Sequence, residues 1–577
     1  MKKRNFMSFR TFLVMMGIIV LWGGLIYRLL FLQIQSAPVL VKKAEKQQEA
    51  VLKVYPQRGK ILDRNGNIFA VSMKVKSAFC VPSEVDELWR TAGKLARILD
   101  MPKSRLIHKL TRKSHFSWIK RKLTDEETSR IENEGMRGIY LVDEVKRFYP
   151  KASLLSHVVG FVNIDNEGLA GLEKSLDHFL RGKTGSATII HDAKGRELYA
   201  KRDFIEKPED GLDVYLTVDE VIQHIVEEEL DKVYETYQAK GAVAIVVDVT
   251  NGDILAMANC PTFDLNLPGE FSADKRRNRA LVDCYEPGSL FKIVIGAAAL
   301  NENLISMNDL IDCEKGAYRI GGHTLHDSHP YDVLPFVSVI AKSSNIGCAK
   351  VASMMSRETF YHYIRQFGFG QTIGLPLEGE LRGKVRNYQR WSGYSQTAMA
   401  MGQEIMVTPL QMVFAFATIA NKGKKPVGRL IDRIVGPQNQ LIRKNEIREG
   451  KSIVSPRTAM KLTQALKLVV SKSGTAYEAR VEGYSVAGKT GTAQKVENGT
   501  YSHSKFLASF IGFVPADHPV LAIGVMVDEP KGKVYYGGQV AAPGFSVMAE
   551  RILSYLKIPP EENADENLKQ LEKRYAA

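Results

Sequence analysis

Hydrophobic and polar positions give the chain three textures. The first is an apolar stretch from Thr11 to Tyr27, interrupted by Arg28 and resumed from Leu29 to Ile34 with Gln33 as its one polar residue. Counted through Arg28, it reaches the roughly 20 residues that cross a bilayer, and an arginine near the end can snorkel to the interface. Lys2, Lys3, Arg4 and Arg10 flank its N-terminal side, which places residues 1–10 in the cytoplasm and the bulk of the chain outside. A cleaved signal peptide is the rival reading. The run is long for one, however, and the best small-residue site, near Ala37, is followed directly by Pro38. The expectation is an uncleaved single-pass anchor over residues 11–34 in the cytoplasmic (inner) membrane. No later run approaches that length; those around Ile293 and Val520 read as pieces of a soluble core.

The second texture, residues 35–205, mixes short strand-like runs such as Ala187–His191 with charged helical stretches such as Asp125–Glu134, and has no internal repeat. Lys201–Gly211, with Pro208 and many charges, reads as a linker. The third texture begins at Leu212. Val221, Ile222, Ile225, Val226, Leu230, Val233 and Tyr234 recur at helical spacing, predicting a helix over Asp219–Tyr237 with Gly241 as its C-terminal cap. Val243–Val249, a turn at Asn251-Gly252 and Ile254–Ala258 predict a hairpin. Phe506–Val514 and Val520–Asp528, joined through Asp517 and Pro519, predict a second. Mostly helical segments lie between the hairpins, and a helix over Ala541–Leu556 closes the region. Strands from both ends with helices between them predict an α+β domain over residues 212–560, followed by a charged tail over 561–577.

At 577 residues the chain exceeds a single core, and 45% hydrophobic with 25% charged residues is ordinary for folded proteins. The net charge of +15 suits an anionic partner or simply a solvated basic surface. Basic runs are brief and interrupted, which argues against nucleic acid. Five scattered cysteines (Cys80, Cys260, Cys284, Cys313, Cys348) offer no zinc spacing, and Cys284 and Cys348 read as small buried core residues.

Glu286-Pro287-Gly288-Ser289-Leu290-Phe291-Lys292 precedes the apolar run Ile293–Leu300, as a loop entering a helix would. Ser289 then sits in the first turn, near the positive end of the helix dipole, with Lys292 on the same face. A desolvated lysine amine beside a serine hydroxyl can take its proton and make it a nucleophile. Alone, Ser-x-x-Lys says little, because Ser117/Lys120, Ser272/Lys275, Ser502/Lys505 and Ser554/Lys557 match as well. Ser343-Ser344-Asn345 falls at a helix-to-helix junction, where Ser343 can relay a proton and Asn345 can bind a substrate amide; Ser306-Met307-Asn308 is a decoy. Lys489-Thr490-Gly491-Thr492 follows the strand-like Tyr484–Gly488. There the lysine and the hydroxyls of Thr490 and Thr492 can hold a carboxylate, and Gly491 leaves room for a ligand. Its decoy, Lys183-Thr184-Gly185, lies upstream of the other motifs. The order Ser-x-x-Lys, Ser-x-Asn, Lys-Thr-Gly is the specific signal, shared by penicillin-binding proteins and β-lactamases.

With those motifs in place, the chain resembles a class B penicillin-binding protein over nearly its whole length. Tyr285–Lys292 is close to that family's nucleophile segment. Arg58-Gly59-Lys60-Ile61-Leu62-Asp63-Arg64-Asn65-Gly66, Arg147-Phe148-Tyr149-Pro150 and Gly168-Leu169-Ala170-Gly171-Leu172-Glu173 resemble three boxes of its non-catalytic module. Without the family, their glycines read as turn residues and their charges as a surface network. No glycosyltransferase domain precedes the catalytic part, unlike the bifunctional class A enzymes. Lys489–Gln494, Asp528-Glu529-Pro530, and Tyr535-Tyr536-Gly537-Gly538 leading to Ala541-Ala542-Pro543 are most similar to the division-specific branch, with the elongation-specific branch as competitor. The chain departs from the family pattern at Leu290, where threonine is usual, and at Gly544. Neither position is expected to carry chemistry.

The resemblance implies an antiparallel sheet with helices on both faces, preceded by an extended pedestal (dimerisation-like) module over residues 35–205. It implies a β-lactam-sensitive D,D-transpeptidase cross-linking peptidoglycan stems on lipid-linked precursor-derived glycan strands during septal wall synthesis. Ser289 would form an acyl-enzyme, with Lys292 as base, Ser343 returning the proton to the leaving amine, and Lys489, Thr490 and Thr492 holding the charged terminus. The backbone N–H groups of Ser289 and Thr492 would form the oxyanion hole, and no metal or organic cofactor is called for. A SEDS-type membrane glycosyltransferase and other division proteins are the implied partners. A carboxypeptidase or β-lactamase is a weaker reading, because neither Glu378 nor Glu380 forms a Glu-x-x-x-Asn deacylation segment and a soluble hydrolase needs neither anchor nor pedestal. A non-enzymatic β-lactam sensor or division scaffold would leave a complete catalytic set unused, and a wall-binding protein would leave the ordered motifs unexplained.

Overall fold

The computed structural model describes residues 4–40, 49–114, 116–190, 203–320, 322–497 and 499–575. Lys2, Lys3, His191 and Lys201 therefore lie outside the described residues. The chain forms two compact units, one from residues 1–56 with 182–210 and one from residues 57–181 with 211–577.

The first unit holds the apolar helix Arg4–Leu30, continued by a wider turn over Phe31–Gln35. Phe9–Gln35 has the length and apolarity of a membrane span and is exposed along its length. The unit also holds a three-stranded antiparallel sheet of Glu49–Val54, Gly185–Ile190 and Asp203–Glu206. The last strand corrects the reading of Lys201–Gly211 as a plain linker: Phe204 and Glu206 find backbone partners at Ala187 and Ser186. The Lys183-Thr184-Gly185 decoy belongs to this unit, apart from the other motifs.

In the second unit, the strands of the catalytic sheet are β1 (Gly241–Asp248), β2 (Ile254–Cys260), β3 (Ala487–Glu497), β4 (Thr500–Val514) and β5 (Leu521–Asp528). They lie in the order β2-β1-β5-β4-β3, antiparallel throughout. Both expected hairpins form, and Gly252 takes the positive φ of +78° that its turn requires.

The helices that matter here are α1 (Glu220–Thr236), α2 (Lys292–Asn301), α3 (Phe336–Ala341), α4 (Asn345–Ser353), α5 (Pro409–Ala420), α6 (Pro456–Val469) and α7 (Ala542–Tyr555). Alternate residues of β1 serve opposite faces, as the pleat dictates. Ala242, Ala244 and Val246 pack with α1 and α7, while Val243, Ile245 and Val247 pack with α2 and α5. At roughly 1.5–3 kcal/mol per buried large apolar side chain, these two layers supply most of the force that holds the sheet.

Asp219 caps α1, its carboxylate accepting the N–H groups of Val221 and Ile222. Gly241 is not the cap expected of it. The left-handed residue after α1 is Gln238, and Gly241 opens β1, where a Cβ would stand 2.9 Å from Arg279 Nε. Likewise the strand expected at Tyr484–Gly488 starts only at Ala487 and carries the whole Lys-Thr-Gly segment. The charged tail is helical over Ala564–Tyr575, and buried Tyr575 joins the main core.

The pedestal residues of this unit share a sheet with the catalytic part, because Ile61-Leu62 pairs in parallel with Val214-Tyr215. The three boxes meet there. Glu173 is fully buried, accepting Arg58 Nε at 2.6 Å and Arg147 Nε at 2.6 Å, while Arg58 also reaches Asp177 at 2.6 Å. These charges are an interior network and not the surface network that charge alone suggests. Sequence shows charge but not burial.

Candidate active site

Ser289 lies in a short 3-10 turn, Gly288–Phe291, that runs directly into α2. Gly288 adopts φ +55°, in the left-handed region that favours glycine. Behind the turn, buried Phe291 packs on Phe369 and Phe360 with ring centroids 5.2 and 6.4 Å away. Leu290 is fully buried and would meet a Cβ at Gly491 at 2.9 Å, so the departure from threonine there is a packing change against β3. Ser289 itself is half-buried.

Lys292 has no solvent exposure. Its Nζ donates to the Ser343 carbonyl at 2.6 Å, Asn345 Oδ1 at 2.8 Å and Ser343 Oγ at 3.1 Å. Among the described residues no carboxylate pairs with it. Burial holds its pKa below the ordinary lysine value, against weaker opposing fields from Cys348 and Asp327. Ser343 sits at the junction of α3 and α4 in the left-handed region, φ +62°.

Lys489 is also fully buried and, among the described residues, makes only long contacts, 3.4 and 3.5 Å, to Thr490 Oγ1 and the Thr490 carbonyl. Desolvation and the nearby Lys292 charge push its pKa far down. It lies on β3, the edge strand, paired with Ile511 of β4. Thr490 Oγ1 is 2.9 Å from Thr475 Oγ1, and Thr492 Oγ1 accepts the Gly537 N–H at 3.1 Å. At Gly491 a Cβ would meet Ser509 Oγ at 2.4 Å, a close approach that excludes any side chain.

The structure thus brings Lys292, Ser343 and Asn345 into direct contact. It places Ser289 one turn before Lys292, and Lys489 within electrostatic reach of it. Three of the Ser-x-x-Lys decoys lack that arrangement. Ser117/Lys120 and Ser502/Lys505 lie on strands, where residues three apart face opposite sides, and Ser554/Lys557 ends α7. Two neighbours went unread in the sequence. Asp327 binds the Ser343–Asn345 turn, and Thr475 touches Thr490. Each is a single common residue outside any spacing pattern. Cys348 is buried beside both lysines and its thiol is pushed up to about 11, while Cys284 is only half-buried. All five cysteines are free thiols.

Comparison with known proteins supplies the family. Residues 242–553 match the penicillin-binding protein transpeptidase domain, and residues 53–216 match the penicillin-binding protein dimerisation domain. The chain belongs to the class B penicillin-binding proteins. It is 35% identical over 572 residues to stage V sporulation protein D of Bacillus subtilis, covering 96% of this chain and 87% of that one. It is 31% identical over 569 residues to the peptidoglycan D,D-transpeptidase FtsI of Escherichia coli, covering 96% and 93%. Among solved structures, penicillin-binding protein 3 of Mycobacterium tuberculosis in complex with aztreonam superposes with a TM-score of 0.70 at 28% identity, covering 88% of this chain and 98% of that one. All three motifs of the penicillin-binding domain, from Ser289 to Thr492, fall inside the matched transpeptidase segment.

Proposed function

We propose that this class B penicillin-binding protein is a serine D,D-transpeptidase that cross-links peptidoglycan stem peptides through Ser289. The observation that carries the reading is the buried Lys292 amine, held by Ser343 and Asn345 beside the nucleophile turn with no carboxylate partner among the described residues. A neutral amine can donate to the Ser343 carbonyl and Asn345 Oδ1 and keep its lone pair for the Ser289 proton.

Ser289 Oγ attacks the penultimate D-alanyl carbonyl while its proton passes to Lys292. The N–H groups of Ser289 and Thr492 receive the oxyanion, each donor contributing about 3–4 kcal/mol in comparable sites. The carbon–nitrogen bond then breaks, Ser343 delivers the proton to the leaving D-alanine amine, and an ester to Ser289 remains. The amine of a second stem attacks that ester, restoring the serine and forming the cross-link. Lys489, Thr490 and Thr492 bind the terminal carboxylate, while Gly491, read from sequence as room for the ligand, instead lets β3 pack against Ser509 and Leu290.

In this reading residues 11–34 anchor the chain with residues 1–10 cytoplasmic, residues 35–205 form the pedestal, and residues 212–560 do the chemistry outside the membrane. Division is the process favoured by Lys489–Gln494, Asp528–Pro530 and Tyr535–Gly538 leading to Ala541–Pro543, with a SEDS-type glycan polymerase as working partner. A role in the sporulation wall is the second reading, favoured by the name of the Bacillus subtilis relative. Depletion giving filaments supports division, and normal growth with defective spores supports the second. The chemistry is tested by supplying a D-Ala-D-Ala pentapeptide with an acceptor amine. Cross-linked product is expected, whereas D-alanine release with hydrolysis alone would make the protein a carboxypeptidase.

A further inference from the structure

Ser343 occupies a backbone region that costs a residue with a Cβ about 1–2 kcal/mol, so its surroundings must hold it there. A group from outside the three motifs braces the residues that follow it. Asp327 follows the strand His323–His326, which pairs with Ala317–Ile320 as a short hairpin. Its Oδ1 accepts the N–H groups of Asn345 and, at 3.1 Å, Ile346; its Oδ2 accepts the Ser344 hydroxyl at 2.6 Å. The His326 carbonyl accepts Asn345 Nδ2 at 2.9 Å, which turns Asn345 Oδ1 toward Lys292. The Ser344 hydroxyl in turn caps α4 by accepting the Gly347 N–H at 2.9 Å. Asp327 is itself tied back to the hairpin through its N–H to the Gly316 carbonyl at 3.2 Å. One carboxylate therefore fixes three consecutive residues immediately after Ser343.

We propose that Asp327 is the positioning residue of this active site: it locks the Ser343–Asn345 turn onto Lys292 and supplies the anionic field in which that amine works. The proposal rests on the assignment of Ser289 and Lys292 as nucleophile and base. The titratable groups facing Lys292 are Cys348 of α4, Lys489 of β3 and Asp327 of the hairpin. Among these Asp327 is the carboxylate, and removing its charge while keeping its shape favours the neutral amine. Asp327→Asn keeps an oxygen for the two N–H groups and loses the charge. The pH at which acylation switches on then moves down, while the loosened turn slows acylation by about tenfold to a hundredfold.

The test uses the full-length chain in detergent. Acylation by a fluorescent penicillin is followed against pH for wild type, Asp327→Asn, Asp327→Glu and Ser289→Ala, with melting temperatures alongside. The expected result is a folded Asp327→Asn that is labelled more slowly and whose rising limb lies at lower pH than wild type. Asp327→Glu keeps the charge but not the reach, so it should be slow with a wild-type limb; it carries the test if Asp327→Asn does not fold. Wild-type rates in the variants, or slower rates with no displacement of the Asp327→Asn limb, would overturn the proposal. Labelling of a folded Ser289→Ala would instead remove the assignment on which it rests.

Discussion

Lys292 Nζ stands 3.1 Å from Ser343 Oγ and 2.6 Å from the Ser343 carbonyl, entirely out of solvent. Two residues 51 positions apart thus share one proton route. Because burial depresses the Lys292 pKa, the neutral form appears at lower pH than for a free lysine. Acylation should rise with pH and level off below pH ~10.4, the free-lysine value. Lys292→Arg, which stays protonated, should lose about two to four orders of magnitude at every pH. Stopped-flow acylation across pH checks both.

Lys489 is a buried amine with poor hydrogen bonds, its pKa depressed first by desolvation and then by Lys292. A depressed lysine destabilises the fold at every pH below its unfolded value, because the unfolded chain binds the proton more readily. Lys489→Met should therefore raise the melting temperature by about 2 °C or more while abolishing carboxylate binding and acylation. Calorimetry together with penicillin labelling reads both effects.

Glu173 neutralises Arg58 and Arg147 at 2.6 Å each, with side chains almost without exposure. Glu173→Gln strands the buried Arg147 guanidinium and leaves Arg58 to Asp177 alone, and should cost about 3–5 kcal/mol, whereas an exposed pair such as Arg90–Glu87 should cost under about 1 kcal/mol. Denaturant titration of both variants gives the comparison.

Glu227 of α1 accepts the Leu155 N–H and Gln223 Nε2, both at 2.7 Å, and burial pushes its carboxyl up to about 7. A carboxyl raised in the folded state holds its proton there between about 4.5 and 7, so its contribution to stability falls as pH rises through that window. Glu227→Gln removes the penalty. Its stability relative to wild type should grow by a few kcal/mol from pH 4.5 to above pH 7, measured by denaturation at each pH.

Local pattern carried much of this molecule. The 3.6-residue spacing of Val221 to Val233 marked α1, and alternation with Asn251-Gly252 marked β1 and β2. The motif order marked Ser289, Lys292, Ser343, Asn345 and Lys489 because each has a chemical reason for its neighbours. What stayed hidden depends on long-range contacts. Gly241 looked like a helix cap until Arg279 was seen lying against it. The Arg58, Arg147 and Glu173 charges looked exposed because their partners lie 26 to 115 positions away. Asp327 reaches Ser344 across 17 positions of loop, strand and helix, with no spacing rule to announce it.

The most direct test of the central claim is the site of acylation. Full-length protein is reacted with penicillin, digested, and its adduct located by mass spectrometry, with Ser289→Ala in parallel. The account predicts a single penicilloyl ester on Ser289 that persists for hours and is absent from the folded variant. An adduct on Ser117, Ser272, Ser502 or Ser554, or equal labelling of Ser289→Ala, would contradict it.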